Sequence, residues 1–176
     1  MRLSLTPVFV AVLLMLAGAA AAMDKENTLY IDLKDGRVVI EMRPDLAPAH
    51  VAQIKKLARE GKYDGVLFHR VIDGFMAQTG DPDGTGMGGM GERLPGEFSK
   101  EPHVRGVVSM ARTNDPNSAR SQFFICFKDA NFLDGQYTVW GKVTSGMEFV
   151  DKIKKGEPPS NPDKMVKVQV AADAKD

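Results

Sequence analysis

The hydrophobic patterning of this 176-residue chain predicts a mainly β fold, a barrel or a sandwich, with two helices. Three observations carry that reading. About eight short runs alternate apolar and polar residues with strand period. An Asp35-Gly36 pair separates the first two of them, a hairpin signal because both residues tolerate positive φ. Only two segments carry helical period.

The elements follow in order. Residues 28–33 alternate Leu29, Ile31 and Leu33 against polar neighbours, and residues 37–42 resume with Val38, Ile40 and Met42. Over residues 47–60 the period changes. Val51, Ile54, Leu57 and Ala58 recur at three- and four-residue steps, Pro48 suits a first helical turn, and Gly61 supplies a stop. Strand-like runs then fall at residues 67–72, 75–79, 107–111, 122–127 and 137–143. Ser145 with Glu148 three residues later reads as a capping box opening a second helix, which runs through Phe149, Val150 and Ile153 to near Gly156. Pro158, Pro159 and Pro162 stiffen the connection to a last strand over residues 165–171, and the Lys/Asp tail is expected to fray. Closure into a barrel would remove the exposed edges of so strand-rich a chain, and pattern alone supports a barrel or a sandwich.

Residues 1–22 read differently. Arg2 precedes an apolar stretch, and Ala19 to Ala22 supplies small residues for cleavage, so the segment is expected to be a signal peptide cut after Ala22. The stretch is shorter than the ~20 apolar residues of a membrane span. The expected domain is then residues 23–176, exported to the periplasm or onward to the medium, with no membrane association after cleavage.

The whole chain balances 23 basic against 23 acidic residues, which gives no electrostatic reason to expect nucleic acid as a partner. Cys126 is the single cysteine, so no intramolecular disulfide can form, and its apolar run suggests a buried structural thiol.

The segment from Phe68 to Asp81 carries the functional signal. Arg70, Phe75, Met76 and Gln78 stand at fixed spacing across two short strands, and Ser121-Gln122-Phe123-Phe124-Ile125 adds a second polar-plus-phenylalanine pair. A lone arginine on such a strand is ordinarily a solvated surface residue, and a lone phenylalanine is ordinarily core. Together and in order, these residues resemble the active-site signature of the cyclophilin family of peptidyl-prolyl cis/trans isomerases, and the resemblance runs from residue 28 to residue 171.

The resemblance implies a closed eight-stranded antiparallel barrel capped by two α-helices. It also implies catalysed rotation about Xaa-Pro bonds in exported polypeptides, assisting their folding. That rotation faces a barrier of roughly 18–20 kcal/mol and takes tens to hundreds of seconds unaided. Amide resonance is the obstacle, so neither a nucleophile, a metal nor a cofactor is required. By position, Arg70 matches the catalytic arginine. Phe75, Met76, Phe124 and Leu133 match the proline pocket, Gln78 and Gln122 the groove, and Ala111 and Arg112 the edge that pairs with a substrate chain. Phe132 stands where a tryptophan helps bind cyclosporin, so weak drug binding is expected. Tyr137 stands where histidine is common, and Arg112 where asparagine is common. The expected substrates are proline-containing unfolded or extended polypeptides, handled by a monomer. The alternative is a non-catalytic peptide-binding chaperone or scaffold on the same fold.

Other signals fail on context. Gly84-Thr85-Gly86-Met87-Gly88-Gly89 satisfies G-x-G-x-x-G, but no helix follows to receive a pyrophosphate, so a loop beside the groove is the better reading. His50, His69 and His103 are too scattered for a metal-ligand pattern. His69 is expected to point away from Arg70 as a satisfied structural histidine.

Overall fold

The computed structural model describes residues 22–175. The expected signal peptide lies outside the described residues save for Ala22.

Eight antiparallel strands form one curled sheet: β1 (Thr28–Leu33), β2 (Gly36–Met42), β3 (Arg70–Ile72), β4 (Met76–Thr79), β5 (Val107–Met110), β6 (Phe123–Cys126), β7 (Val139–Ser145) and β8 (Lys167–Val170). They are ordered β3-β4-β6-β5-β7-β2-β1-β8. The strands at the two ends of that order, β3 and β8, share no ladder, so the expected complete closure is corrected to an open, half-barrel sheet. Its ends are tied by the irregular segments preceding them. Leu67 bridges Lys164, Phe68 N–H donates to the Asp163 carbonyl at 2.9 Å, and Met165 N–H donates to that of Val66 at 2.9 Å.

The first hairpin forms where the Asp-Gly pair predicts, with one difference. Leu33 pairs with Gly36, so Lys34 and Asp35 make the turn, and only Gly36 has positive φ, 154°. A Cβ there would lie 2.5 Å from the outer edge of the Phe149 ring and would have to push it aside, and the positive φ itself favours glycine.

The first helix, α1 (Pro48–Arg59), buries Val51, Ile54, Leu57 and Ala58, the apolar stripe read from its period, and packs against β8. Ala47 offers no side-chain cap. Glu97 supplies one from far along the chain, accepting from the N–H groups of Ala49 and His50, 48 and 47 positions away, each at 3.0 Å. The second helix, α2 (Met147–Asp151), is a single short turn against β2. The expected capping box is not formed. Ser145 remains in β7 opposite Val39, and Gly146 takes the cap position at φ 84° with no side-chain cap bond. The expected frayed tail is partly tied down, because Arg59 Nε donates to Asp173 at 2.8 Å.

The main core packs against one face of the sheet, where Phe123 meets Trp140 edge-on at 5.3 Å and Tyr63 at 5.7 Å. A second apolar cluster of Met76, Phe124, Cys126, Ala130 and Leu133 lies apart from it. Strand β6 serves both clusters: Phe123 and Ile125 enter the first, Phe124 and Cys126 the second. Hence its unbroken Phe-Phe-Ile-Cys run, where a strand with one wet face would alternate. No helix among the described residues is long and apolar enough to cross a membrane.

Candidate active site

Ladder register places the candidate side chains. Arg70 on β3 pairs with Gln78 on β4, which pairs with Phe124 on β6, which pairs with Ser109 on β5. Directly paired residues share a face of a sheet. Arg70, Gln78 and Phe124 therefore emerge together over the second cluster, beside a groove of about 720 Å³.

Met76, Phe124 and Leu133 form the groove's floor, all buried, and Phe75, Phe132, Ala111 and Tyr137 wall it. The aromatic walls support one another. Phe75 lies against Phe132 at 5.4 Å, and Phe124 meets Tyr137 edge-on at 6.1 Å. The Arg112 guanidinium sits 4.5 Å over the Tyr137 ring while donating to the Gln136 carbonyl. Phe132 remains 68 % exposed, an apolar surface at the rim. Beneath the floor, His103 stacks against Phe124 at 6.3 Å, with Nδ1 2.9 Å from Asp134 and Nε2 3.0 Å from the buried Ser109 hydroxyl. Cys126 lies here too, and burial pushes its thiol up to about 12.

The polar side of the groove is a chain of hydrogen bonds. Arg70 Nε donates to Glu157 Oε1 at 2.8 Å, and its NH1 reaches Gln78 Oε1 at 3.4 Å. Gln78 Nε2 donates to Gln122 Oε1 at 2.9 Å, and Gln122 Nε2 donates to the carbonyls of Gly86 and Gly88. Those glycines belong to the G-x-G-x-x-G segment, which holds no helix and is organised by Asp81. The Asp81 carboxylate accepts from the N–H groups of Asp83, Thr85, Gly86 and Gly88 and from the Thr85 hydroxyl. Burial pushes its pKa up, but these donors outweigh burial and hold it below the ordinary aspartate value.

Every sequence-predicted residue except Gln122 lines this groove. Gln122 lines an adjoining recess with Arg93, Arg112 and Arg120, and touches the groove through Gln78. Ala111 lies one residue past β5, and its N–H is already given to the Gln122 carbonyl at 3.0 Å.

The glycine-rich loop lies beside the groove as its sequence suggested, contributing Gly84, Thr85, Gly86 and Met87 to the wall, whereas Glu157 and Pro158 were missed. Sequence reasoning also misjudged His69. Strand β3 begins only at Arg70, so the alternation assumed for His69 does not reach it, and both residues line the groove. Neither ring nitrogen of His69 makes a hydrogen bond of good geometry among the described residues, although Gln122 and the Leu67 backbone lie nearby, and burial lowers its pKa. Among the described residues, no group of three His, Cys, Asp or Glu side chains could hold a metal ion.

Comparison with known proteins gives a consistent result. Residues 28–171 match the family described as cyclophilin type peptidyl-prolyl cis-trans isomerase. A probable peptidyl-prolyl cis-trans isomerase of Brucella suis is 57% identical over 184 residues, covering 95% of this chain and 94% of that one. Peptidyl-prolyl cis-trans isomerase B of Bacillus subtilis is 45% identical, covering 74% and 93%. Among solved structures, a cyclophilin from Hirschia baltica superposes with a TM-score of 0.80 at 34% identity, covering 87% of this chain and 77% of that one. A Cryptosporidium parvum cyclophilin-type isomerase, crystallised in the presence of the dipeptide Ala-Pro, gives 0.74 at 29% identity, covering 81% and 98%.

Proposed function

The chain belongs to the cyclophilin-type peptidyl-prolyl cis-trans isomerase family and catalyses that isomerisation, and from this premise we propose that Arg70 is its catalytic donor. The observation that carries the proposal is a guanidinium at the rim of an apolar floor, paired across the ladder with Gln78 and Phe124.

As an Xaa-Pro amide twists, its nitrogen becomes pyramidal and regains a lone pair. A donor at that nitrogen opposes the return of double-bond character. Such a donor is worth most in the twisted state and little in either planar one, and this difference lowers the barrier. Arginine suits the task because it stays charged and presents a rigid fork. Met76, Phe124 and Leu133 would hold the proline ring, while the Gln78 amide steadies the guanidinium and meets a substrate carbonyl. Phe132, with its exposed face, and Tyr137, with Arg112 over its ring, would receive flanking residues.

The proposed substrates are extended or unfolded proline-containing segments of exported proteins, met by a monomer in the periplasm after removal of residues 1–22. The apolar stretch and small-residue cleavage pattern of that leader support the localisation.

The test is cis/trans exchange in an Ala-Pro peptide followed by NMR, with wild type and Arg70→Ala compared. Loss of one well-placed donor typically costs about 10²–10³ in rate. A fall of that size with peptide binding retained supports the assignment. Undiminished exchange in Arg70→Ala removes it.

A further inference from the structure

Arg70 is gripped from outside the sheet that carries it. Its Nε edge donates to Glu157 Oε1 at 2.8 Å across 87 positions of sequence. Gln78, at the longer distance of 3.4 Å from NH1, is its other side-chain partner among the described residues. The backbone fixes this meeting. Val71 N–H donates to the Gly156 carbonyl and Gly156 N–H to the Val71 carbonyl, both at 2.8 Å. Val71 directly follows Arg70 and Glu157 directly follows Gly156, so one two-bond bridge sets both ends of the ion pair. Gly156 has φ 148°, and a Cβ on it would lie 2.5 Å from Pro159 Cα, so the anchoring turn admits little change.

We infer that Glu157 is a positioning residue of the isomerase, holding the Arg70 guanidinium by its Nε edge so that its outer N–H groups are presented to the groove. The inference rests on the reading of Arg70 as the donor. Both side chains are about half exposed, at 44% and 53%, and pairs of this kind add little to stability. The carboxylate also lies on the groove wall. Its position suits it to limiting where the arginine points, in a reaction whose catalyst must be aimed before the amide twists. Pairing also tempers the arginine's charge, an effect opposed to the gain in aim. Water screens the charge term at this exposure, whereas a released arginine regains its torsional freedom, so aim dominates.

The experiment measures kcat and KM separately, with Tm, for wild type, Glu157→Ala, Glu157→Gln, Arg70→Ala and the double variant Arg70→Ala/Glu157→Ala. We expect Glu157→Ala to lower kcat about 3- to 10-fold with KM and Tm nearly unchanged, since aim acts in the transition state. Glu157→Gln, which keeps an acceptor, should lie between it and wild type. On Arg70→Ala, removal of Glu157 should change nothing further. Wild-type kcat in Glu157→Ala beside a crippled Arg70→Ala would overturn the positioning role and leave the donor standing. A raised kcat would mean that Glu157 restrains the arginine, and also overturns it. So does an equal loss in both backgrounds, which places Glu157's effect elsewhere. Full activity in Arg70→Ala would remove the reading beneath the inference. Should Glu157→Ala lower Tm, Glu157→Gln decides between the same outcomes.

Discussion

Gln78 on β4 and Gln122, the residue just before β6, share one hydrogen bond, Nε2 to Oε1 at 2.9 Å. That bond joins two otherwise separate devices. On one side stands Arg70 with its partner Glu157; on the other is the loop whose carbonyls at Gly86 and Gly88 Gln122 holds and whose N–H groups Asp81 gathers. The rim of the groove is thus a single connected polar line from β3 to the glycine loop.

Gln122→Leu should cut that line without touching the floor. Two loop carbonyls and the Gln78 amide lose their partner, so the loop wall should loosen and peptide binding should weaken. The expected result is a severalfold rise in KM with a smaller fall in kcat, measured by peptide titration and NMR exchange.

Asp81 should make the loop acid-sensitive. Its folded-state pKa is depressed below the ordinary 3.8, so its stabilisation is complete above about pH 3.8 and is lost as pH falls through the lower folded value. Asp81→Asn removes the charge from a buried acceptor and should cost about 2 kcal/mol near neutral pH. Urea unfolding at pH 7 and pH 3 should show the gap between variant and wild type narrowing at the lower pH.

Cys126 should be silent to thiol reagents in the native protein. It is fully buried beneath the pocket and its pKa is raised to about 12, so thiolate is scarce and unreachable. Reaction with a chromogenic disulfide should be slow in buffer and rapid in denaturant. Fast native labelling would show that the floor opens.

Phe132→Trp should strengthen cyclosporin binding while leaving proline isomerisation within a fewfold of wild type. The residue lies at the rim, 68 % exposed, where a larger ring can be accommodated and its N–H can meet a ligand carbonyl. Inhibition titrations of the two proteins compare them directly.

Period and turn chemistry made much of this molecule legible. The stripe of α1, the first hairpin and the alternation of β1 and β2 all depend on neighbours a few residues away, and sequence displays such relations. Sheet closure does not: whether β3 and β8 pair depends on the irregular segments at residues 65–68 and 163–165. The false capping box at Ser145 has the same origin, because pairing with Val39 keeps that serine in β7. Within the site, spacing and resemblance picked out the floor and Arg70. Glu157 had no local signal, since its run Gly-Glu-Pro-Pro reads as a connector and its role depends on a bridge formed with Val71. His69 was misread because strand period was extended back to residue 67, whereas β3 begins only at Arg70.

The row Arg70, Gln78, Phe124 and Ser109 has an immediate neighbour in the same ladders: Val71, Ala77, Ile125 and Val108, all members of the main core. Slipping one of these strands by one residue would exchange its own members of the two rows; on β3 that turns Val71 into the groove and the guanidinium inward. Turnover is therefore a readout of folding fidelity. A misregistered chain could keep its β content by circular dichroism yet lose activity, so specific activity can count correctly assembled molecules in a refolded sample.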